Sequence, residues 1–202
     1  MRNTRCAKLS AMRLPAAPIA LCVLAAATVA GCGSSGGEQP VPTPAEARAA
    51  LRGAPPPLAA VHAQANELLD GGEPALRRRL EQLSGYPVVV NVWAAWCGPC
   101  KEEFPVLQRA AVRYGRGVAF IGVDTEDDAK EARRWLDAHW VAYPSYADPD
   151  AALRKSIGVT VGIPSTVFVD RAGRRTTHQG PYRDDADFER DLQRYTGATP
   201  TS

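Results

Sequence analysis

Pro87-Val88-Val89-Val90-Asn91-Val92-Trp93 runs directly into Ala94-Ala95-Trp96-Cys97-Gly98-Pro99-Cys100. The first seven residues are rich in β-branched side chains and show no polar alternation, the pattern of a central strand buried on both faces. A helix is expected to begin at the cysteine pair and to run to about Arg113, with Gly115 and Gly117 ending it. A strand that feeds straight into a helix places the pair at a helix N-terminus. There a thiol faces unpaired backbone N–H groups and the positive end of the helix dipole. Both favour thiolate over thiol, which makes Cys97 a nucleophile near neutral pH. Cys97 is expected at the helix start and partly exposed. Cys100, one turn in and more buried, is placed to resolve a mixed disulfide. Pro99 suits the first turn, where a missing N–H costs little.

Working outward, Val118–Val123 reads as a second buried strand. Glu126–Trp140 reads as a helix with Ala129, Ala132, Leu136 and Trp140 on its inner side. A short extended piece at Tyr143–Tyr146 and a helix from Asp148-Pro149 through Ser156 follow. Thr166–Val169 and Arg174–Gln179 flank Asp170-Arg171-Ala172-Gly173, a hairpin turn, and Asp184–Tyr195 closes as a helix. Strands alternating with helices, then a terminal hairpin and helix, predict an α/β fold with a mixed central sheet flanked by helices. Upstream, Glu46–Arg52 predicts a short helix stopped by Pro55-Pro56-Pro57. Leu58, Val61, Ala65, Leu68 and Leu69 then recur at helical spacing up to Gly71-Gly72. A further helix from about Pro74 carries Leu76, Leu80 and Leu83 on one face, with Arg77 to Arg79 as a solvated face.

The 202 residues suffice for one domain with a core plus appendages. The net charge of +2 conceals an asymmetry. Arg2, Arg5, Lys8 and Arg13 lie in the first 31 residues, which hold no acid, and without them 20 basic residues face 22 acidic ones. Nothing in that balance suggests a nucleic-acid surface. The basic stretch is followed by an uncharged run with its apolar core at Ile19–Ala30, too short to span a bilayer comfortably. It ends in Val29-Ala30-Gly31-Cys32, small residues before a cysteine. That ending resembles a bacterial lipobox, which implies lipidation of Cys32. An ordinary signal peptide or an uncleaved anchor is the competing reading. The chain then divides into a lipoprotein signal peptide (1–31), a flexible Gly-, Ser- and Pro-rich tether (32–57), a helical extension (58–85) and the main domain (86–202). On that division Cys6 and Cys22 leave with the signal, Cys32 is blocked, and Cys97 and Cys100 alone remain as thiols. A pair three apart is either half a zinc site or a redox pair. A closed zinc site needs four ligands, and no second pair exists while His62, His139 and His178 are scattered. No metal and no cofactor is expected.

Trp96-Cys97-Gly98-Pro99-Cys100 and its flanks resemble thioredoxin. Pro105, five residues after Cys100, matches the proline that kinks that family's active-site helix. Gly162-Ile163-Pro164-Ser165-Thr166 resembles the family's cis-proline loop. Cys97-Gly98-Pro99-Cys100-Lys101-Glu102-Glu103-Phe104-Pro105 is most similar to the extracytoplasmic, redoxin-type branch, the TlpA/ResA-like proteins. Gly122-Val123-Asp124, Tyr143-Pro144, Asp148, Ile157-Gly158-Val159 and Gly180 extend the likeness over about residues 86–196. The resemblance implies a thioredoxin-like fold and a redox disulfide between Cys97 and Cys100. It also implies support of the reaction site by Trp96, Gly98, Pro99, Ile163 and Pro164. Thioredoxin carries a buried acid where this chain has Asn91, and the branch places Glu103 to supply the acid–base function instead. The branch's hairpin before the first strand is absent, and the helices of the extension stand in its place.

The activity so implied is extracytoplasmic thiol-disulfide exchange, reducing disulfides in envelope proteins, apocytochrome c among them. A membrane electron donor would re-reduce the pair. A lipid-tethered monomer is expected at the cell membrane, facing the extracytoplasmic side. Three alternatives stay open: a disulfide-forming oxidase of the same fold, a copper metallochaperone and a thiol peroxidase. Gly98-Pro99 and Ile163-Pro164 resemble the reducing, cytosolic thioredoxins and favour the reductase over the oxidase. A copper carrier wants Met or His beside the pair, yet the only methionines are Met1 and Met12. A thiol peroxidase acts through a cysteine in a different sequence setting. The location is directly testable. Cys32→Ala is expected to release a soluble form or to leave an unprocessed precursor, read by membrane fractionation and by the mass of the mature N-terminus. A wild-type protein that is fully soluble and starts elsewhere contradicts the tether.

Overall fold

A computed structural model describes residues 39–200. The signal segment, Cys32 and the start of the tether lie outside the described residues. In chain order the elements are α1 (Pro44–Ala50), α2 (Pro56–His62), β1 (Leu68–Leu69), α3 (Gly72–Gln82) and β2 (Val88–Trp93). Then come α4 (Gly98–Tyr114), β3 (Ala119–Thr125), α5 (Ala129–Ala138), β4 (Ser145–Asp148) and α6 (Ala152–Ser156). The hairpin β5 (Ser165–Val169) and β6 (Arg175–Gln179) and the helix α7 (Asp185–Thr196) complete the chain. The strands form one sheet in the order β1-β4-β3-β2-β5-β6. β1, β4, β3 and β2 run parallel, and β5 and β6 are antiparallel.

The run at 88–93 is buried at every position, because the sheet is covered on both sides. Period-two alternation splits it. Val89 and Trp93 face a layer built from α1, α4, α5 and α7, and Val88, Val90 and Val92 face α2, α3 and α6. Asn91 shares the first face. Trp93, Phe104 and Trp135 pack their rings within 5.2 Å of one another there. Side-chain caps fix the helix starts. Asp128 accepts from the N–H groups of Lys130 and Glu131, and Asp184 from that of Asp187. Asp148, at the end of β4, accepts from Leu153 and Arg154 at 2.8 and 3.0 Å and so starts α6.

Several expectations need correcting. The tether assigned to 32–57 is folded over its second half. A capping box between Thr43 and Glu46 starts α1, and Ala47 and Leu51 are buried against the core. The helix expected to reach Leu69 stops at His62, and the helical spacing of Leu68 and Leu69 is coincidental. Asn66 takes a positive φ of 67°, which asparagine tolerates better than most side chains. Its amide then ties the turn to the body of the domain, donating to Leu136 O and accepting from Val141 N at 3.0 Å. Leu68 and Leu69 emerge as an edge strand against Ser145 and Tyr146. The extension at 58–85 keeps two helices, α2 and α3, and between them adds a two-residue edge strand to the sheet. On α5, Ala129 is exposed and Trp135 is buried, since the helix begins three residues later than Glu126 and ends before Trp140. Arg79 is not solvated either; it donates to Gln64 and to the hydroxyl of Tyr146.

Gly122 lies beside Asn91 in the sheet. A Cβ there would meet Ser145 Oγ at 2.1 Å and Trp93 Nε1 at 3.0 Å, the two atoms that hydrogen-bond each other at 3.1 Å. Gly122→Ala is expected to destabilise by about 1–3 kcal/mol through overpacking. Denaturant unfolding checks this, with a lowered midpoint and an unchanged slope as the expected result. A wild-type midpoint would show that the β3–β4 contact is loose.

Candidate active site

The junction between β2 and α4 is one tight turn, closed by the Cys97 N–H donating to Ala94 O at 3.1 Å. Cys97 is the N-cap of α4, and its sulfur accepts the Cys100 N–H at 3.2 Å. A sulfur in that position replaces the usual hydroxyl or carboxylate cap and meets the positive end of a 17-residue helix. The two cysteines are joined as a disulfide with Cα atoms 5.3 Å apart. Cys97 keeps 4% of its surface and Cys100 none. Cys97 is thus less open than the sequence led one to expect, and still the accessible member of the pair. Pro105 lies inside α4 and has no N–H to give to the carbonyl of Lys101.

The loop at Glu126–Asp128 grips the junction from β3. Ala95 N–H donates to the Asp127 carboxylate, and Trp96 Nε1 donates to Glu126 O at 3.0 Å. Trp96 stays 61% exposed and stands beside the pair like a post. Gly98 and Pro99 are exposed too. On the other side, the Ile163–Pro164 peptide is cis, with Pro164 buried and Ile163 half-buried. Pro164 O accepts from Gly180 N at 3.0 Å, which ties that loop to the end of β6. Val161, 56% exposed, adds apolar surface. The reactive edge is an open, partly apolar surface.

Below the disulfide the site turns polar. Glu103, three residues after Cys100, projects from nearly the same face of α4 and has no exposed surface. Its Oε2 accepts the Tyr182 N–H at 3.2 Å, and its Oε1 has no partner among the described residues. Burial pushes its pKa up to about 8, and the single N–H lowers it only in part. It is therefore a carboxyl that can gain and lose a proton near neutral pH. Asn91 is buried on the same side of β2, paired in register with Thr166. Tyr143 faces both Asn91 and Glu103, and burial raises its pKa. On the other flank, burial and the nearby Asp127 and Asp148 push Asp124 up to about 8. Asp124 is thus a second buried carboxyl able to exchange a proton near neutral pH, beside the Asp127 that supports the loop at Ala95.

Of the residues singled out in the sequence after residue 95, Trp96, Cys97, Gly98, Pro99, Cys100 and Glu103 lie at the β2–α4 junction and along α4, and Ile163 and Pro164 immediately precede β5, whose Ser165 pairs with Val92 near the end of β2. Cys32 lies outside the described residues. Sequence reasoning missed Tyr182, Tyr143, Thr166 and the Asp124–Asp127 pair. Tyr182 acts on Glu103 through its backbone, so its identity leaves no trace in a motif. Among the described residues no group of three or more His, Cys, Asp or Glu side chains is arranged to hold a metal ion.

Comparison with known proteins bears on this arrangement. Residues 63–174 match the model of the AhpC/TSA family. The chain is similar to the thiol:disulfide interchange protein DsbE of Pseudomonas aeruginosa, 36% identical over 131 residues, covering 64% of this chain and 67% of that one. It is also similar to DsbE of Pseudomonas fluorescens biotype C, 39% identical over 92 residues, covering 45% of this chain and 49% of that one. Among solved structures, MTB dsbF in its mixed oxidised and reduced forms aligns with a TM-score of 0.50 at 28% identity, over 57% of this chain and 85% of that one.

Glu103 links this site to stability. A carboxyl whose folded pKa is raised from 4.5 to about 8 contributes stability that is present below pH 4.5 and lost as pH climbs through 8. Glu103→Gln removes that loss. Relative to wild type, the oxidised variant is expected to gain stability progressively as pH rises across that window, measured by denaturant unfolding at a series of pH values. Parallel curves for the two proteins would mean that Glu103 titrates normally.

Proposed function

The chain belongs to the AhpC/TSA family, and on that footing we propose that it is an extracytoplasmic protein-disulfide reductase working through Cys97 and Cys100. It is a thiol-disulfide oxidoreductase of thioredoxin-like fold. The observation that carries the reading is the asymmetry of the pair. Cys97 caps a helix and is the member of the pair that keeps some exposed surface, while Cys100 is fully buried, three residues before a buried, protonatable Glu103 on the same helix.

The Cys97 thiolate attacks one sulfur of a client disulfide, and the client's other sulfur leaves as a thiolate. A mixed disulfide between Cys97 and the client remains. Cys100 then gives its proton to the Glu103 carboxylate, attacks Cys97, and releases the client's second thiolate. Burial disfavours a free Cys100 thiolate, so a base within reach matters for this step. Asn91 cannot be that base. Exposed Trp96 and Val161 beside Ile163 and Pro164 suit an extended protein segment better than a small molecule. Envelope proteins are the proposed clients, with apocytochrome c as one candidate. A membrane electron donor returns the pair to the dithiol. Lipidation at Cys32 would hold the domain near both. No described helix is long and apolar enough to cross a membrane.

Cys100→Ser removes the resolving thiol and is expected to accumulate client mixed disulfides at Cys97, seen on non-reducing gels and cleared by dithiothreitol. Cys97→Ser should trap none. The opposite pattern reverses the assignment of roles, and peroxide turnover by the purified protein without clients would replace the reading altogether.

A further inference from the structure

Glu103 has to be a carboxylate before it can take the proton of Cys100, and a carboxyl without exposed surface needs a route by which its own proton reaches solvent. One polar row leads outward. The sheet face beneath α4 and α7 is lined by Val89, Trp93, Phe120 and Phe168. At one level, however, the residues in register across three strands are polar. Asn91 on β2 pairs with Thr166 on β5, and Thr166 pairs with His178 on the edge strand β6. Such cross-strand partners share a face, with Cβ atoms about 5 Å apart. Thr166 Oγ1 and Glu103 Oε1 are buried and have no partner among the described residues, and the buried Asn91 amide and Tyr143 hydroxyl have no partner there beyond each other. Buried polar atoms in such a cluster are ordinarily bridged by ordered water.

The outer end of the row is built. His178 has 30% of its side chain exposed, and its Nδ1 lies 3.4 Å from Asp191 Oδ2. The same Asp191 oxygen accepts the Tyr182 hydroxyl at 2.8 Å, and the Tyr182 ring stacks on the imidazole at 4.1 Å. Tyr182 is also the residue whose N–H holds Glu103. One residue therefore touches both ends of the row. Tyr182 and Asp191 face His178 directly, and Arg183, Asp187 and Arg190 line the adjoining surface cavity. Tyr143 and Tyr182 are the titratable groups facing Glu103. Imidazole is the side chain suited to exchanging protons near neutral pH.

We propose that Asn91, Thr166 and His178 form the proton path between Glu103 and solvent, with His178, held by Asp191 and Tyr182, as the solvent-side exchanger. The proposal rests on Glu103 acting as the base for Cys100. The Glu103 carboxyl first releases its proton, through water held at Thr166 and Asn91, to the free ring nitrogen of His178. The imidazolium so formed gives it to bulk solvent, and no electrons move in this leg. The carboxylate so formed then takes the Cys100 S–H proton while the Cys100 sulfur bonds to Cys97 and the client thiolate leaves. His178 and Thr166 are positioning residues, since they act on the sulfurs only through Glu103.

The test is the single-turnover release of client thiol from the mixed disulfide, followed across pH with and without added imidazole. His178→Gln and Thr166→Val are expected to slow release about fivefold, the size of effect expected for coupling at a distance. Imidazole should restore His178→Gln, Thr166→Ser should retain the wild-type rate, and the His178→Gln profile should lose one inflection. In a Glu103→Gln background, His178→Gln should add nothing. A wild-type rate and profile for His178→Gln, beside a slow Glu103→Gln, overturns the path and leaves the base standing. A wild-type rate for Glu103→Gln overturns the base itself. A slow His178→Gln that imidazole does not restore reduces His178 to packing and also overturns the path. Should Thr166→Val fail to fold, the surface variant His178→Gln with imidazole decides alone.

Discussion

The Cys100 N–H donated to the Cys97 sulfur is the contact on which the rest of the site depends. It exists because β2 ends at Trp93, a turn of four residues follows, and α4 begins immediately. The sheet fixes that turn from both sides. Asp127 and the Glu126 carbonyl hold Ala95 and Trp96 from β3, and the Pro164 loop flanks the pair from β5. Charge-assisted bonds from backbone N–H groups to a thiolate are among the stronger hydrogen bonds, so the helix start favours the anion. The same geometry sends Cys100 inward, one turn along the helix, where solvent cannot reach it. Two identical side chains acquire different chemistry from a three-residue separation.

Burying Glu103 beneath that pair is costly if the group is charged, and the structure meets the cost by raising its pKa to about 8 rather than by supplying a cation. Among the described residues one backbone N–H, from Tyr182, is the single donor to it. The neighbouring Asn91 matters for the same reason. A second carboxylate there would face Tyr143 and Glu103 in the same buried cluster, and two such acids would force each other's titrations apart. With an amide at 91, Glu103 alone is left for the proposed proton transfer at Cys100. The other raised acid, Asp124, lies on the far flank near Asp127 and Asp148.

Much of this was legible in the sequence because its strongest signals are local. The β-branched run at 88–93, the cysteines, Pro105 and the hairpin turn at 170–173 each dictate a conformation within a few residues, and α4, β5 and β6 follow. The family resemblance then located Glu103 and Pro164, which lie far apart in sequence. What stayed hidden was set by tertiary contacts. The two-residue strand at Leu68–Leu69 is too short to show an alternation, and its leucines continue the spacing of the helix before it. Only the turn at Asn66, held by Leu136 and Val141, separates the two readings. The short helix expected at Glu46–Arg52 forms as α1, but its packing onto the domain, through buried Ala47 and Leu51, could not be read from a stretch of tether-like composition. Tyr182 contributes a backbone N–H, and Thr166 and His178 gain meaning only once β2, β5 and β6 are placed side by side.

The account stands on Cys97 being the thiolate and Cys100 the protected thiol of the reduced protein. The direct measurement is the rate of alkylation of each cysteine in the dithiol form across pH, with peptide mass mapping to identify the residue modified. Modification of Cys97 first, with a titration midpoint well below the free-thiol value of about 8.5, is the predicted result. Equal modification of both cysteines at an ordinary midpoint, or Cys100 reacting first, would contradict it.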